Sequence, residues 1–403
     1  MSKTAVFIIN ENSFKGMEAE TARRVSRHLL LESNDKTLDL FEIDGDSSLM
    51  VRDLFNYTGY DVFVFIYGIL FITYEGINVL SGIALNQEKF SVIVPVTNES
   101  KILYQRHAPP YIYQTISVLK WAVKEIYDEY KDNIIEADEI DNFCLALRSE
   151  LLDVLPEDGY LIDLPKIVKK GGLRFGVAKG VYAHRYGNCY ESGRDDLLEY
   201  VPLDAREVLD IGSAGGLFGE MLKKRQECFV TGVESDRELV DIAGTRLDYV
   251  KHGDVETILD EGRLGLYDCI VCGDVLEHLN NPWKVVKLLR RHLKAGGLFI
   301  ASSPNVTNWA IIREMLKGRW DYIPFSILSG THIRFFTRNT YAELFEAAGY
   351  RIKELHFQSF KLPRKGCEFI ARLKELLPEL REEELKANEI VIVAEVQEPS
   401  LKD

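Results

Sequence analysis

Apolar runs closed by an acid, an asparagine or a glycine, each followed by an amphipathic stretch, recur along this chain. Over the first 130 residues the pattern predicts strands at 5–10, 37–43, 61–66 and 90–96 with helices between them. Strand and helix in alternation predict a smaller α/β domain on a parallel sheet. The pattern then changes. Residues 131–157 are acidic and read as helical, and 166–190 are rich in glycine, tyrosine and basic residues. The segment 131–193 is therefore predicted to be a linker whose later part could fold over a bound ligand. From 194 to 403 strand–helix alternation returns, with an insertion at 303–337.

The clearest run of the second half is Val208-Leu-Asp-Ile-Gly-Ser-Ala-Gly-Gly-Leu-Phe-Gly219. It reads as a buried strand ending on Asp210 and Ile211, a glycine-rich turn, and a helix over 217–224. Gly212, Gly215 and Gly216 allow a ligand to approach the backbone closely. A dinucleotide fingerprint fails in either register: from Gly212 the later glycines are Ala214 and Leu217, and from Ala214 the first glycine is missing. Asp210 would also lie against a pyrophosphate, a like-charge pairing. S-adenosylmethionine carries a cationic sulfonium and ammonium and no phosphate, so the acid favours that cofactor. A second strand, 229–234, ends on Glu234 at the spacing of a carboxylate that accepts ribose hydroxyls. Gly253-Asp254 follows a third short strand and could meet an adenine edge. A fourth, 267–272, runs into Gly273-Asp274-Val-Leu-Glu-His-Leu279, and 296–302 is a fifth.

With these elements in place, residues 195–397 resemble a class I S-adenosylmethionine-dependent methyltransferase. The turn is similar to that family's D-x-G-x-G-x-G, with Ala214 at the middle position. Predicted strands at 351–357 and 389–396 resemble its sixth strand and antiparallel seventh. The resemblance implies a Rossmann-like seven-stranded sheet. It also implies that Asp210, Gly212 and Gly216 hold the amino-acid end of the cofactor, Glu234 the ribose and Asp254 the adenine, with Ser213, Ala214, Val255, Gly273 and Asp274 completing the set. Arg194 is placed to reach the methionine carboxylate, or is a surface arginine at a helix start.

Chemistry is expected at 273–282, because the fourth strand of this fold ends facing the transferable methyl group. His278 is the candidate base, an imidazole able to accept a proton near neutrality. The competing reading is a histidine that bonds a backbone carbonyl and shapes the loop. The segment also resembles the E-V-L-E-H run of quinone-biosynthesis O-methyltransferases, with Asp274, Glu277 and His278 in its acidic and histidine positions. Adjacent helical residues diverge by about 100°, so the three need not converge, and no metal is expected. The insertion at 303–337 carries Asn305, Asn308, Trp309, Arg313, Arg319, Trp320, Tyr322, His332 and Arg334. Trp309, Trp320, Tyr322 and Arg334 are the candidate acceptor-binding residues, set against tryptophans that merely pack the cap onto the sheet. His332 is the second acid–base candidate, with Glu277 beside His278 the third.

Composition narrows the partners. The chain has 403 residues, a net charge of −14 and 46% hydrophobic content. That size favours more than one core, and that charge disfavours a polyanionic partner such as nucleic acid. Cys269 and Cys272 read as buried thiols in a strand, which implies a reducing cytoplasm. No targeting pattern opens the sequence, and the apolar run 62–74 is too short to span a bilayer, so a cytoplasmic protein without a membrane span is expected. In the first half, residues 10–16 carry no phosphate-binding pattern, and Asp44-Gly-Asp46 reads as a turn before a metal-binding pair. Residues 90–99 resemble the opening strand of inverting glycosyltransferases, but too little chain follows for that core. The loop 98–110, with Lys101, Gln105, Arg106 and His107, either recognises an anionic or sugar-like group or caps a helix over 111–130. The expected activity is methyl transfer from S-adenosylmethionine to a small acceptor, foremost a hydroxyl of a sugar or nucleotide sugar. The alternatives are N-methylation of an amino sugar and cofactor binding without catalysis.

Overall fold

Strands that are apolar on every position lie at the centre of the first of two units. A computed structural model describes residues 2–10, 17–31, 37–44, 50–186, 193–262, 264–324 and 326–397. The chain divides into Met1–Gly187 with Tyr322–Pro324, and Asn188–Asp321 with Phe325–Asp403. The strands of the first unit are β1 (Thr4–Asn10), β2 (Leu38–Asp44), β3 (Val62–Tyr67), β4 (Leu70–Phe71), β5 (Val92–Val96), β6 (Ile134–Ala137), β7 (Cys144–Arg148), β8 (Phe175–Tyr182) and β9 (His184–Arg185). Seven of them form one sheet in the order β2-β1-β3-β7-β5-β8-β6, while β4 and β9 pair separately. All of β3 is buried, as expected of a strand covered on both faces. Helices Tyr74–Asn86 and Ile116–Tyr130 start where Thr73 and Thr115 accept the amide hydrogens of Gly76 and Val118, which satisfies donors the helix itself cannot.

The sequence reading needs three corrections here. The sheet is mixed: β7 runs antiparallel to β3 and β5, and β6 antiparallel to β8. Residues 131–157 are not a helix, because they contain β6, β7 and a 3₁₀ turn at Ser149–Val154. Nor do 131–193 form a linker, since β8 pairs in parallel with β5 inside the sheet, and the unit runs on to Gly187. The glycines of β8 mark close packing: a Cβ on Gly180 would sit 2.7 Å from the Lys131 Cα. In the loop 98–110, Gln105 is fully buried and joins Pro95 and Asp141 through their backbones. His107 stacks edge-on against Tyr130, Arg106 is exposed, and the helix begins at Ile116. The segment 11–16 and Gly45-Asp46 lie outside the described residues.

The second unit holds β10 (Glu207–Ile211), β11 (Phe229–Glu234), β12 (Tyr249–His252), β13 (Tyr267–Gly273), β14 (Leu293–Pro304), β15 (Tyr350–Ser359) and β16 (Ala387–Val396). Their order is β12-β11-β10-β13-β14-β16-β15, with β16 antiparallel to both neighbours and the other pairs parallel. This is the Rossmann-like sheet with an antiparallel last strand that the sequence predicts. Alternate residues pack two cores: Leu209, Ile270, Cys272 and Phe299 in one, Val208, Cys269, Val271 and Ile300 in the other. Cys269 and Cys272 thus face opposite sides of β13 and are buried free thiols. Phe299 meets Phe345 and Tyr350 edge-on, at 5.2 and 5.6 Å between centroids, and ties β14 to helix Arg338–Ala347 and to β15. Because the first five strands are parallel, Ile211, Glu234, His252, Gly273 and Pro304 end along one edge, where ligands of such sheets collect. No helix of the described residues is long and apolar enough to cross a membrane.

Candidate active site

The turn after β10 is shaped by its own backbone. The amides of Gly212 and Ser213 both donate to the Val233 carbonyl. Gly212 has φ +69°, and a Cβ there would lie 2.4 Å from Val275 Cγ2, so glycine is required twice over. Ala214 adopts φ +44° while its amide donates to Glu234 Oε2 at 2.8 Å. Among the described residues, the non-glycines with positive φ are Arg194, Ala214 and Asp274, and all three lie at this sheet edge. Such strain collects at functional sites. Replacing Ala214 by glycine is expected to raise stability by about 1 kcal/mol, read as a higher unfolding midpoint; an unchanged or lower midpoint refutes strain at Ala214.

Asp210, one residue before the end of β10, is buried, and its Oδ2 has no hydrogen-bond partner; neither has Ser213 Oγ. Burial, with the nearby Glu234 charge, pushes the Asp210 carboxyl up to about 7. Buried, unsatisfied acceptors at this point fit a cationic ligand, such as the ammonium and sulfonium of S-adenosylmethionine. Glu234 stands at the end of β11 as expected, but its oxygens already take Ala214 N, Asp236 N and Ser235 Oγ. It therefore frames the turn. Asp254 is exposed and caps helix Val255–Glu261 by accepting from Thr257 N, with Val255 buried beside it.

Arg194 is neither a free surface arginine nor an unoccupied anion receptor. Its guanidinium donates to Asp196, Asp274 and Glu389, next to Gly273, where a Cβ would lie 3.5 Å from its Nη1. Burial works to raise the Asp274 carboxyl, but the Arg194 charge outweighs it and holds the group below the usual carboxylate range. Burial, then the Asp274 charge, pushes Glu389 well above that range. Ser302 Oγ accepts from Asp274 N and donates to Asp274 Oδ1.

After Gly273 the chain forms a 3₁₀ turn, Leu276–His278. Glu277 is 1% exposed; its Oε2 accepts from Ser303 Oγ and its Oε1 has no partner. Burial, followed by the Asp274 charge, pushes this carboxyl well above its ordinary range. His278 Nδ1 lies 3.1 Å from the Thr331 carbonyl, and His332 Nδ1 lies 2.9 Å from the Ile327 carbonyl. A carbonyl only accepts, so in each neutral ring Nδ1 carries the proton and Nε2 the lone pair. The two rings meet edge-on with centroids 4.7 Å apart. The carbonyl contact named as the alternative role of His278 is present, and it fixes the tautomer a base needs.

The 3₁₀ turn also brings Glu277, His278 and His332 together, with one ligand atom of each within 4.8 Å of the others. Asp274 of the trio weighed from the sequence is not in this cluster; His332 takes its place, and Glu277, His278 and His332 could hold a divalent cation.

The acceptor candidates fare unevenly. Trp309 is buried against Gly366, where a Cβ would lie 2.9 Å from the indole, so it packs the insertion. Asn305 and Asn308 spend their amide hydrogens on Glu384, Ala387 and Asn388. Arg313 pairs with Glu314 and Arg319 with Asp321. Arg334 donates to the Asn280 carbonyl and lies over the Trp283 ring, which makes it a brace. Tyr322 groups with the first unit. Trp320 is 36% exposed, edge-on to Phe335. Missing from the sequence reading are Glu256, Ser302, Ser303 and Glu389. A signal existed for the serine pair, two polar residues closing an apolar strand.

The strand order and the glycine turn at its edge are similar to those of class I S-adenosylmethionine-dependent methyltransferase domains. A family model described as a methyltransferase domain matches residues 182–355. Among curated proteins, the ubiquinone biosynthesis O-methyltransferase of Xylella fastidiosa is 32% identical over 145 residues, 34% of this chain and 57% of that protein. That of Shewanella pealeana is 31% identical over 134 residues, 32% of this chain and 55% of that protein. The chain thus spans a little over half the length of these relatives. A methyltransferase structure from Archaeoglobus fulgidus aligns over 51% of this chain and 94% of its own, with 19% identity and a TM-score of 0.38.

Proposed function

We propose that the second unit transfers a methyl group from S-adenosylmethionine to a hydroxyl of a small molecule. The observation that carries this reading is the imidazole pair, His278 and His332, whose Nδ1 positions rest on carbonyls at the sheet edge that holds Asp210 and the glycine turn. Bound there, S-adenosylmethionine supplies a methyl group activated on its sulfonium. A hydroxyl is a poor nucleophile until its proton leaves, and a base held in position supplies that step. His278 Nε2 would take the hydroxyl proton as the acceptor oxygen receives the methyl group. Alignment of the three reacting atoms does the rest. The finer reading, a sugar or nucleotide-sugar hydroxyl, rests on Trp320, whose half-exposed ring offers the flat apolar face such acceptors use. The net charge of −14 disfavours a nucleic-acid acceptor. A second reading is favoured by the convergence of Glu277, His278 and His332: a divalent cation held there would lower the acceptor's proton affinity in place of a free base.

The test is release of S-adenosylhomocysteine in a panel of sugar, nucleotide-sugar, phenolic and amine acceptors, before and after dialysis against EDTA. Release with hydroxyl acceptors, unchanged by the chelator, is expected. Release with amines alone moves the acceptor to nitrogen. Cofactor binding without release on any acceptor makes the unit a binding protein. A loss restored by Mg²⁺ or Zn²⁺ replaces the free base by the cation.

A further inference from the structure

Two helices that flank the site are joined by one carboxylate. Glu256 lies in the first turn of Val255–Glu261, the helix that Asp254 caps at the adenine position. Its Oε2 accepts from Asn280 N at 3.0 Å and its Oε1 from Asn281 N at 2.9 Å, with Asn280 Nδ2 at 3.4 Å from Oε2. A carboxylate that takes two successive backbone amides is a directional, charge-assisted clamp. Its target is not arbitrary. Asn280 follows His278 by two residues, and Asn281 is the N-cap of helix Pro282–Leu289, accepting from Lys284 N.

Asn280 is also held from the other side, since its carbonyl accepts from Arg334. The amides of Ile333 and Arg334 both donate to the Glu277 carbonyl at 2.9 Å, and the neighbouring Thr331 carbonyl receives His278 Nδ1. The turn bearing His278 is thus fixed between the adenine-side helix, through Glu256, and the insertion, through Arg334. A shift of either support moves the imidazole.

We propose that Glu256 is a positioning residue that ties the adenosine-binding side of the cofactor site to the orientation of His278. The proposal rests on the reading of the second unit as a methyltransferase. Glu256 touches neither reacting atoms nor base; it acts through Asn280 and Asn281. Occupancy of the adenosine position steadies helix Val255–Glu261, and the clamp passes that constraint to the turn.

The test is NMR of the His278 ring in the full chain, with and without S-adenosylhomocysteine, in wild type, Glu256→Gln and Glu256→Asp. Turnover and cofactor affinity are measured alongside. Glutamine keeps the length of the side chain but turns one acceptor into a donor; aspartate keeps the charge but retracts it by a methylene. In wild type, ligand addition is expected to shift the His278 ring resonances. In both variants the expected result is loss of that shift and a fall in kcat of about 10- to 100-fold, with cofactor affinity within twofold of wild type. Lys284→Ala, which cuts the exposed Lys284–Asp260 ion pair between the same helices, is expected to behave as wild type. Retention of the shift and of kcat in both variants overturns the proposal alone. So does a parallel loss of cofactor affinity and thermal midpoint, which marks a purely structural role. Failure of wild type to bind S-adenosylhomocysteine overturns the methyltransferase reading and the proposal with it.

Discussion

His278→Ala is expected to lower kcat on a hydroxyl acceptor by about 10²- to 10⁴-fold, the usual worth of a positioned general base, while cofactor affinity stays within twofold. Two features of the structure separate these effects. The imidazole sits on the 3₁₀ turn after β13, whereas the buried carboxylate with an unpartnered oxygen, proposed to meet the cationic cofactor, is Asp210 in β10. The Thr331 carbonyl fixes the proton on Nδ1, so Nε2 is the nitrogen able to accept a proton, and truncation removes it with the rest of the ring. His332 has the same tautomer and touches the first ring. It is the group that could leave residual activity; in that case adding His332→Ala should lower the rate by more than the sum of the single effects. The pH profile discriminates further: the acid-side limb, present when an imidazole must be neutral to accept, should vanish in His278→Ala. A loss under tenfold with the limb retained would assign His278 to loop shape alone. A loss of turnover and cofactor affinity together would point to collapse of the turn.

What the sequence disclosed of this site depended on how far apart its parts lie along the chain. Asp210, Gly212, Ala214 and Gly216 fall within one strand–turn–helix, and their local pattern was sufficient. His278 precedes β14 and His332 lies in the insertion that follows it, and no periodicity joins them; the meeting of their rings follows from the insertion folding back onto the Glu277 carbonyl. The insertion's polar and aromatic side chains suggested ligand contacts, yet Asn305, Asn308 and Trp309 answer backbone and packing demands. Composition cannot tell an amide that serves a ligand from one that serves the neighbouring carbonyls. In the first unit, β8 was obscured by its glycines. Gly176 would place a Cβ 2.8 Å from the Phe90 ring, and Gly180 one at 2.7 Å from Lys131 Cα, so the residues that resemble a flexible linker permit a central strand to pack. The second sheet was legible throughout because each of its strands is flanked by a clear helix or turn.

Asp210→Asn should give the apo protein a higher unfolding midpoint at pH 8 and destroy cofactor binding. The carboxyl is fully buried, and its folded pKa of about 7 stands above the ordinary value of 3.8. Below the ordinary value both folded and unfolded states hold the proton, and the site carries its full stability. As pH rises from 3.8 to 7 the folded state keeps a proton that the unfolded state gives up, and above 7 it bears a buried charge. Stability then falls by up to about 4 kcal/mol, at ~1.4 kcal/mol per pH unit between the two values. Asparagine has the same shape and no charge to bury, so the decline from this residue disappears, and thermal unfolding at pH 5 and pH 8 reads the difference. The same charge is what a cationic cofactor needs. Binding should draw the Asp210 pKa down and expel its proton, most of one at pH 6 and little at pH 8, which calorimetric titration with S-adenosylmethionine in two buffers of different ionisation enthalpy measures directly. Proton release that is absent in wild type, or that persists in Asp210→Asn, would show that another group meets the cation. A variant that gains stability and keeps its affinity would remove Asp210 from the cofactor site, and with it the reason a buried acid is tolerated there.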